Sequence, residues 1–260
     1  MSVKKRVESL KITEFKEINK EFFVLSLISD NKLPEMFPGQ FVEALVEGSP
    51  STFLRRPLSI HDVNYAKNTI KLLIQIVGDG TRKLSELKTG DKLNLIYPLG
   101  NSYSFASNQS ALLIGGGCGV APLLFLARKM NEKGINPDIL IGGRNKDYLL
   151  EIEEYKKYGN VHITTEDGSY GEKGFVIHHS ILWKENIKFD KIYTCGPEAM
   201  MKAIAKYAGK KGIDCEVSLE NLMACGIGAC LCCIAETHRG NICTCTEGPV
   251  FNTKDLKWRN

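Results

Sequence analysis

Cys225, Cys230 and Cys233 stand in the stretch CGIGACLCC, and a further pair, Cys243 and Cys245, follows downstream. Three thiolates spaced C-x4-C-x2-C, with a fourth arriving from a more distant loop, form a pattern that holds a [2Fe–2S] cluster. Between the first two cysteines lie Gly226, Ile227, Gly228 and Ala229. Such a segment lets the backbone fold over an inorganic core and aim its N–H groups at the sulfurs, which neither a disulfide nor a zinc site requires. The chemistry implied is the movement of single electrons. Two other readings compete: a four-cysteine zinc knuckle, which prefers two C-x2-C pairs, and a group of buried free thiols. The spacing selects Cys233 over its neighbour Cys232, and leaves Cys243 and Cys245 both open as the fourth ligand.

Three further segments carry chemistry-bearing residues. Arg56-Pro57-Leu58-Ser59 presents a cation fixed by a following proline, then a hydroxyl, suited to a pyrophosphate or the edge of an isoalloxazine; a strand-entry turn with a surface arginine is the plainer alternative. Gly78-Asp79-Gly80-Thr81 precedes TRKLSEL and could turn backbone N–H groups and a hydroxyl toward a phosphate, or be only a turn. Gly115-Gly116-Gly117-Cys118-Gly119 lies between a strand-like and a helix-like run, where glycines permit close approach to a dinucleotide. It is not GxGxxG, so a dinucleotide there would bind differently from the common fingerprint. Cys195-Gly196-Pro197 ends another strand-like run and would place a thiol near a reacting ring, unless it is simply a buried cysteine before a proline-started helix.

These segments need elements to hold them. Up to about residue 104 the chain reads as β-structure: FFVLSLIS, FVEALV, TIKLLIQIV and KLNLIY, separated by PG, DG and TG turn signals, suggest a closed barrel. From Ser110 the pattern changes to alternation. ALLIGGG, DILIGGR, VHITTEDG, KIYTCGP and CEVSLE read as strands; PLLFLARKMNEKG, ending at Gly134, and PEAMMKAIAKYAGKKG read as helices. Strands alternating with helices predict a doubly wound parallel sheet. The expected division is a barrel over 1–104, an α/β domain over 105–215 and a small iron–sulfur subdomain over 216–260.

Composition narrows the function classes. The chain has 260 residues, with 34 basic and 30 acidic side chains. That balance, with Lys and Arg scattered, argues against a nucleic-acid face. Nine cysteines, an odd number, after the charged start MSVKKR predict a reducing cytoplasm in which thiols serve as ligands. The uncharged run from Ala111 to Ala127 is broken by Gly115, Gly116, Gly117, Gly119 and Pro122, so no membrane span is expected.

Taken in order, RxxS and GDGT followed by a glycine-rich turn and CGP resemble the ferredoxin–NADP reductase superfamily. The CGIGAC stretch and a late cysteine before EGPVF narrow the resemblance to electron-transfer subunits of class 1B dihydroorotate dehydrogenases, over essentially the whole chain. The resemblance selects Cys245 over Cys243, giving Cys225, Cys230, Cys233 and Cys245 as cluster ligands. It implies FAD held by Arg56, Pro57, Leu58, Ser59, Leu73, Ile74, Gln75, Gly80 and Thr81. It implies NAD(H) at Gly115, Gly116, Gly117, Gly119, Gly196 and Pro197, with Cys195 near the nicotinamide. The implied partner is an FMN-containing catalytic subunit, in a heterotetramer, that oxidises dihydroorotate in pyrimidine biosynthesis. Two departures stand out. Gln75 occupies the place of an expected arginine, and Cys232 that of a small or aliphatic residue. An NADPH-linked reductase subunit of a bifurcating transhydrogenase or a sulfhydrogenase is the nearest alternative; a zinc-clipped binding module is the alternative of another class.

Overall fold

The structure, a computed structural model, describes residues 5–49, 51–184 and 188–258. It divides into two compact units. The first contains the chain up to Ser102, with 220–235 and 241–249; the second contains Tyr103–Leu219, 236–240 and the chain from Val250 onward.

The first unit is built on six strands: β1 (Arg6–Asn19), β2 (Phe22–Ile28), β3 (Phe41–Ala44), β4 (Arg56–Asn64), β5 (Thr69–Gln75) and β6 (Lys92–Leu99). They close into a barrel in the order β1-β2-β5-β4-β3-β6, every pairing antiparallel. The expected strand runs became β2, β3, β5 and β6. RPLS forms the start of β4, and the charged β1, whose alternation is hidden among Glu and Lys residues, is an addition. A short helix, α1 (Asp79–Leu84), follows Gly78.

The cysteine segments pack against this barrel. Phe41 and Leu99 join Met223, Cys233 and Cys245 in one buried cluster, with Ile96 and Cys243 at its margin. Burying Phe41, Leu99 and Met223 contributes on the order of 1.5–3 kcal/mol per side chain. The tail around Cys245 is also tied down by polar contacts: Asn101 N–H donates to Gly248 O at 2.6 Å, and Asn101 Nδ2 to Glu247 O at 2.7 Å. At Gly100, with φ +74, a Cβ would lie 2.5 Å from Pro249 Cδ, so glycine is needed for both conformation and approach.

The second unit is a seven-stranded sheet. Its strands are β7 (Ala111–Gly116), β8 (Asp138–Gly143), β9 (Asn160–Thr165), β10 (Glu172–Lys173), β11 (Lys191–Cys195), β12 (Asp214–Ser218) and, beyond the short ribbon of β13 (Ile234–Thr237) and β14 (Gly240–Cys243), β15 (Val250–Asn252). The order is β10-β9-β8-β7-β11-β12-β15, parallel except for β15. Helices α2 (Ala121–Glu132), α3 (Ile152–Tyr155) and α4 (Glu198–Lys211) lie between successive strands. Strand order reverses between β7 and β11, the switch point where open α/β sheets bind ligands beyond the carboxyl ends of their strands. GGGCG follows β7 and CGP follows β11, so both expected nucleotide segments meet there. Among the described residues no helix is long and apolar enough to cross a membrane.

Candidate functional site

The loop from Cys225 to Cys230 turns at Gly226, φ +65, and Gly228, φ +83, conformations that side chains resist. The turn gathers N–H groups on sulfur. Ile227, Ala229 and Cys230 donate to Cys225 Sγ at 3.5, 3.3 and 3.4 Å. Gly228 donates to Cys245 Sγ at 3.2 Å, and Cys245 N–H to Cys233 Sγ at 3.3 Å. These donors, that of Ile227 foremost, pull the Cys225 thiol down to about 6, whereas burial beside Cys233 pushes Cys245 up to about 12. Thiolate is the form that ligates metal, so the N–H fan favours that form at Cys225.

Cys225, Cys230, Cys233 and Cys245 all lie on the barrel unit, linked through these N–H contacts to sulfur. The fan also separates the two late cysteines, because the Gly228 N–H lies on the sulfur of Cys245. Cys243 is close to Cys233 and Cys230, and its thiol is raised by burial and by those neighbours. Cys232 is exposed. Among the described residues no three Cys, His, Asp or Glu side chains converge at the distances of a single ion.

A carboxylate lies beneath this loop that sequence reasoning missed. Glu43 on β3 is wholly buried, and neither of its oxygens has a hydrogen-bond partner among the described residues. Burial pushes its carboxyl up to about 7, against the pull of Arg55 and Arg56. Its Cγ lies 2.6 Å from the position a Cβ on Gly226 would take, which excludes any side chain there. A single Glu in FVEALV gives no sign of this, since the contact joins residues far apart in sequence.

The flavin candidates also meet. Arg56 opens β4, and its Nε is buried without a hydrogen-bond partner among the described residues. A Cβ on Gly80 would stand 2.6 Å from that Nε and 3.3 Å from Thr52 Cγ2, so the arginine lies directly over the glycine turn. An unpaired buried guanidinium N–H is costly and suits an anionic ligand such as a pyrophosphate. Thr81 Oγ1 accepts from Val77 N–H at 2.9 Å and Gly78 N–H at 3.2 Å and donates to Gly78 O, so its hydroxyl shapes the turn. Pro57, Leu58, Ser59 and Gln75 are half-buried, while the side chains of Leu73 and Ile74 are buried on opposite faces of β5.

In the sheet unit the glycines separate into two kinds. A Cβ on Gly115 would meet Val120 Cγ1 at 2.8 Å, one on Gly116 would meet Met200 Sδ at 2.7 Å, and one on Gly119 would overlap the carbonyl of Cys195 and the Cα of Gly196. These three are glycine because neighbours fill the space. Gly117, φ +56, has nothing within 4 Å of its Cβ position and is the open face of the turn. Cys195 is buried behind Gly119, at 2% exposure, with Gly196 and Pro197 following it into α4.

A flavin-type barrel, a nucleotide sheet with its switch point after β7 and β11, and a cysteine loop with N–H groups on sulfur define an NAD-linked iron–sulfur oxidoreductase. The family profile of the iron–sulfur cluster binding domain of dihydroorotate dehydrogenase B matches residues 220–257, and that of the oxidoreductase NAD-binding domain matches residues 113–206. The chain is 36% identical over 259 residues to the dihydroorotate dehydrogenase B (NAD(+)), electron transfer subunit of Fusobacterium nucleatum subsp. nucleatum, covering 97% of this chain and 99% of that one. It is 36% identical over 256 residues to the subunit of the same name from Streptococcus mutans serotype c, covering 96% and 97%. The chain belongs to this family of electron transfer subunits. Among solved structures, a chain of an NADH-dependent reduced ferredoxin-NADP oxidoreductase, described in connection with flavin-based electron bifurcation, superposes with TM-score 0.87 at 30% identity over 96% of this chain and 90% of that one. An Amycolatopsis cytochrome P450 reductase shares the fold, with TM-score 0.70 at 22% identity over 81% and 67%.

Proposed function

We propose that this chain passes electrons between NAD(H) and the FMN of a separate dihydroorotate-oxidising subunit, by way of FAD and a [2Fe–2S] cluster, in pyrimidine biosynthesis. Net flow in that pathway runs from dihydroorotate to NAD. The observation that carries the reading is the Cys225–Cys230 loop, whose N–H groups already lie on the sulfurs of Cys225 and Cys245. Bound FAD supplies the exchange between a two-electron hydride and single electrons, which a cluster needs because it cannot accept hydride.

The residues divide the work. Arg56 and the Gly80 turn hold the cofactor's phosphates, Ser59 and the half-buried Pro57 and Leu58 lie along its flavin end, and the backbone of Leu73, Ile74 and Gln75 borders it. The Gly117 face and the Gly196-Pro197 edge receive NAD(H); Cys195 bears on the nicotinamide from behind the turn. Cys225, Cys230, Cys233 and Cys245 hold the cluster, with the buried pair Cys233 and Cys245 on the barrel side and Cys230 exposed. Around them Leu222, Ile227 and Leu231 are exposed at 83%, 48% and 64%, an apolar rim on which a partner can seat. The three-part division at 104 and 215, a heterotetramer and a cytoplasmic location complete this reading.

The test is reconstitution. The purified chain with its cofactors should reduce artificial acceptors with NADH yet leave dihydroorotate untouched, and should gain dihydroorotate:NAD activity when the catalytic subunit is added. Dihydroorotate turnover by this chain alone, or a cluster-intact chain that fails to support the partner, overturns the proposal. Failure would favour the second reading, a small reductase subunit of a bifurcating enzyme, which the 0.87 superposition supports.

A further inference from the structure

β3 reads FVEA, and all four of its residues are buried. Three of them are apolar. The fourth, Glu43, has no exposed surface and no hydrogen-bond partner for either carboxyl oxygen among the described residues. A buried polar group left unpaired is a standing cost to folding. The nearby cations do not remove it. Arg55 directs its donors elsewhere, to the backbone oxygens of Glu43 and Asn94 at 3.2 Å and to Asn94 Oδ1 at 2.7 Å, and the buried Nε of Arg56 is itself unpaired among the described residues. An acid at this position therefore answers a demand other than stability.

Its surroundings say which demand. Side chains alternate along a strand, so Phe41 and Glu43 share one face of β3, and on that face Phe41 packs in one cluster with Cys233 and Cys245. Directly opposite residues of antiparallel strands share a face as well. Ser59, the partner of Phe41, and Pro57, the partner of Glu43, are thus placed beside them. The carboxyl itself ends on the cysteine loop: a Cβ on Gly226 would lie 2.6 Å from Glu43 Cγ and 2.9 Å from its Oε1. Glu43 stands between strand residues assigned to the flavin and the loop that opens at Cys225. Burial pushes its carboxyl up to about 7, Arg55 and Arg56 pull it down, and Cys225 pushes it up. Charge at Cys225 that opposes charge at Glu43 is opposed by it in equal measure.

We propose that Glu43 sets the reduction potential of the cluster held by Cys225, Cys230, Cys233 and Cys245, its buried charge keeping that potential below the value the N–H contacts to sulfur alone would give. The inference rests on the assignment of those four cysteines to a [2Fe–2S] cluster. Reduction adds one electron, supplied by reduced flavin, and neither makes nor breaks a bond, so what Glu43 meets is one further negative charge. Backbone N–H donors to sulfur favour that charge. A carboxylate opposes it, in a site where water screens little. The balance of the two fixes how readily the loop passes its electron onward.

The experiment is a redox titration of the full-length chain with its cofactors, followed by electron paramagnetic resonance at about pH 8.5, where a carboxyl with a value of about 7 is ionised. It compares wild type, Glu43→Gln, Glu43→Leu and Glu43→Asp, with iron and acid-labile sulfide measured on the same samples. Glu43→Gln should keep iron and sulfide at wild-type levels and favour the reduced form about tenfold, an upward shift of about 59 mV for a one-electron couple. Glu43→Leu should move the potential in the same direction and provides the measurement if the glutamine variant does not fold. Glu43→Asp, which keeps the charge, should stay near wild type. An unchanged or lowered potential in the glutamine and leucine variants overturns the inference. So does loss of the cluster from both with retention in Glu43→Asp, which would make Glu43 a support for the loop. A shift in Glu43→Asp as large as in Glu43→Gln overturns it too, because packing rather than charge would be responsible. Wild-type chain lacking iron and sulfide would refute the four-cysteine assignment itself, and the inference with it.

Discussion

The cluster loop and the nucleotide turn are both short, glycine-rich and interrupted by cysteine, yet their glycines answer different physical demands. In CGIGAC, Gly226 and Gly228 take positive φ and so direct backbone N–H groups onto sulfur. In GGGCG, Gly115, Gly116 and Gly119 are compelled by neighbouring atoms, and only Gly117 leaves an open face. A glycine-rich loop is therefore not in itself a ligand site. The informative questions for each glycine are which way its φ turns the neighbouring N–H groups and whether its missing Cβ would meet protein, as at Gly226 and Gly228, or open space, as at Gly117.

The largest effect that could break this comparison is on the cluster. Cys225→Ser, Cys233→Ser and Cys245→Ser should each lose most bound iron and acid-labile sulfide, whereas Cys232→Ser and Cys243→Ser should stay near wild type. Retention of the cluster in Cys245→Ser with its loss in Cys243→Ser would reassign the fourth ligand and remove the meaning given to the Gly228 contact. Cys225, Cys230 and Cys233 stood out as candidates because their spacing is local and the chemistry rigid. Cys245 needed the family resemblance, since spacing left Cys243 equally open. Its physical reason is a long-range one, the docking of the EGP tail on Gly100 and Asn101.

Next in size is a contrast between two glycines. Gly119→Ala places a methyl against the backbone of Cys195 and Gly196, which cannot withdraw as a flexible side chain would. Unfolding measurements should show a loss of about 3 kcal/mol or more. Gly228→Ala meets only Thr246 Cγ2, at 2.8 Å, and incurs strain at φ +83, costing roughly 1–2 kcal/mol; its sharper consequence should be faster iron release, as the N–H on Cys245 is displaced. If Gly119→Ala proves as stable as Gly228→Ala, the packing explanation for the nucleotide turn fails.

The same distinction explains what the sequence concealed. The barrel and the doubly wound sheet followed from alternation and from the change of pattern near Ser110, because periodicity records which face is buried. Glu43 under Gly226, and Arg56 over Gly80, are pairs separated by long stretches of chain. No local pattern encodes such pairs, and only folding shows that the Arg56–Gly80 pair and the cysteine loop share one unit.

The smallest predicted effect is also the most discriminating. Gly117 sits at φ +56, within the left-handed region, with nothing within 4 Å of its Cβ position. Alanine there costs only conformational strain, about 1–2 kcal/mol, and creates no clash with protein. If the open face is where NADH approaches, the added methyl should raise the KM for NADH beyond what the small fall in Tm accounts for. Asparagine tolerates this backbone region better than alanine but is bulkier. Gly117→Asn should therefore be the more stable of the two variants and the poorer binder of NADH. If stability and NADH binding instead rank the two variants in the same order, Gly117 is glycine for its backbone alone, and the whole turn belongs to packing.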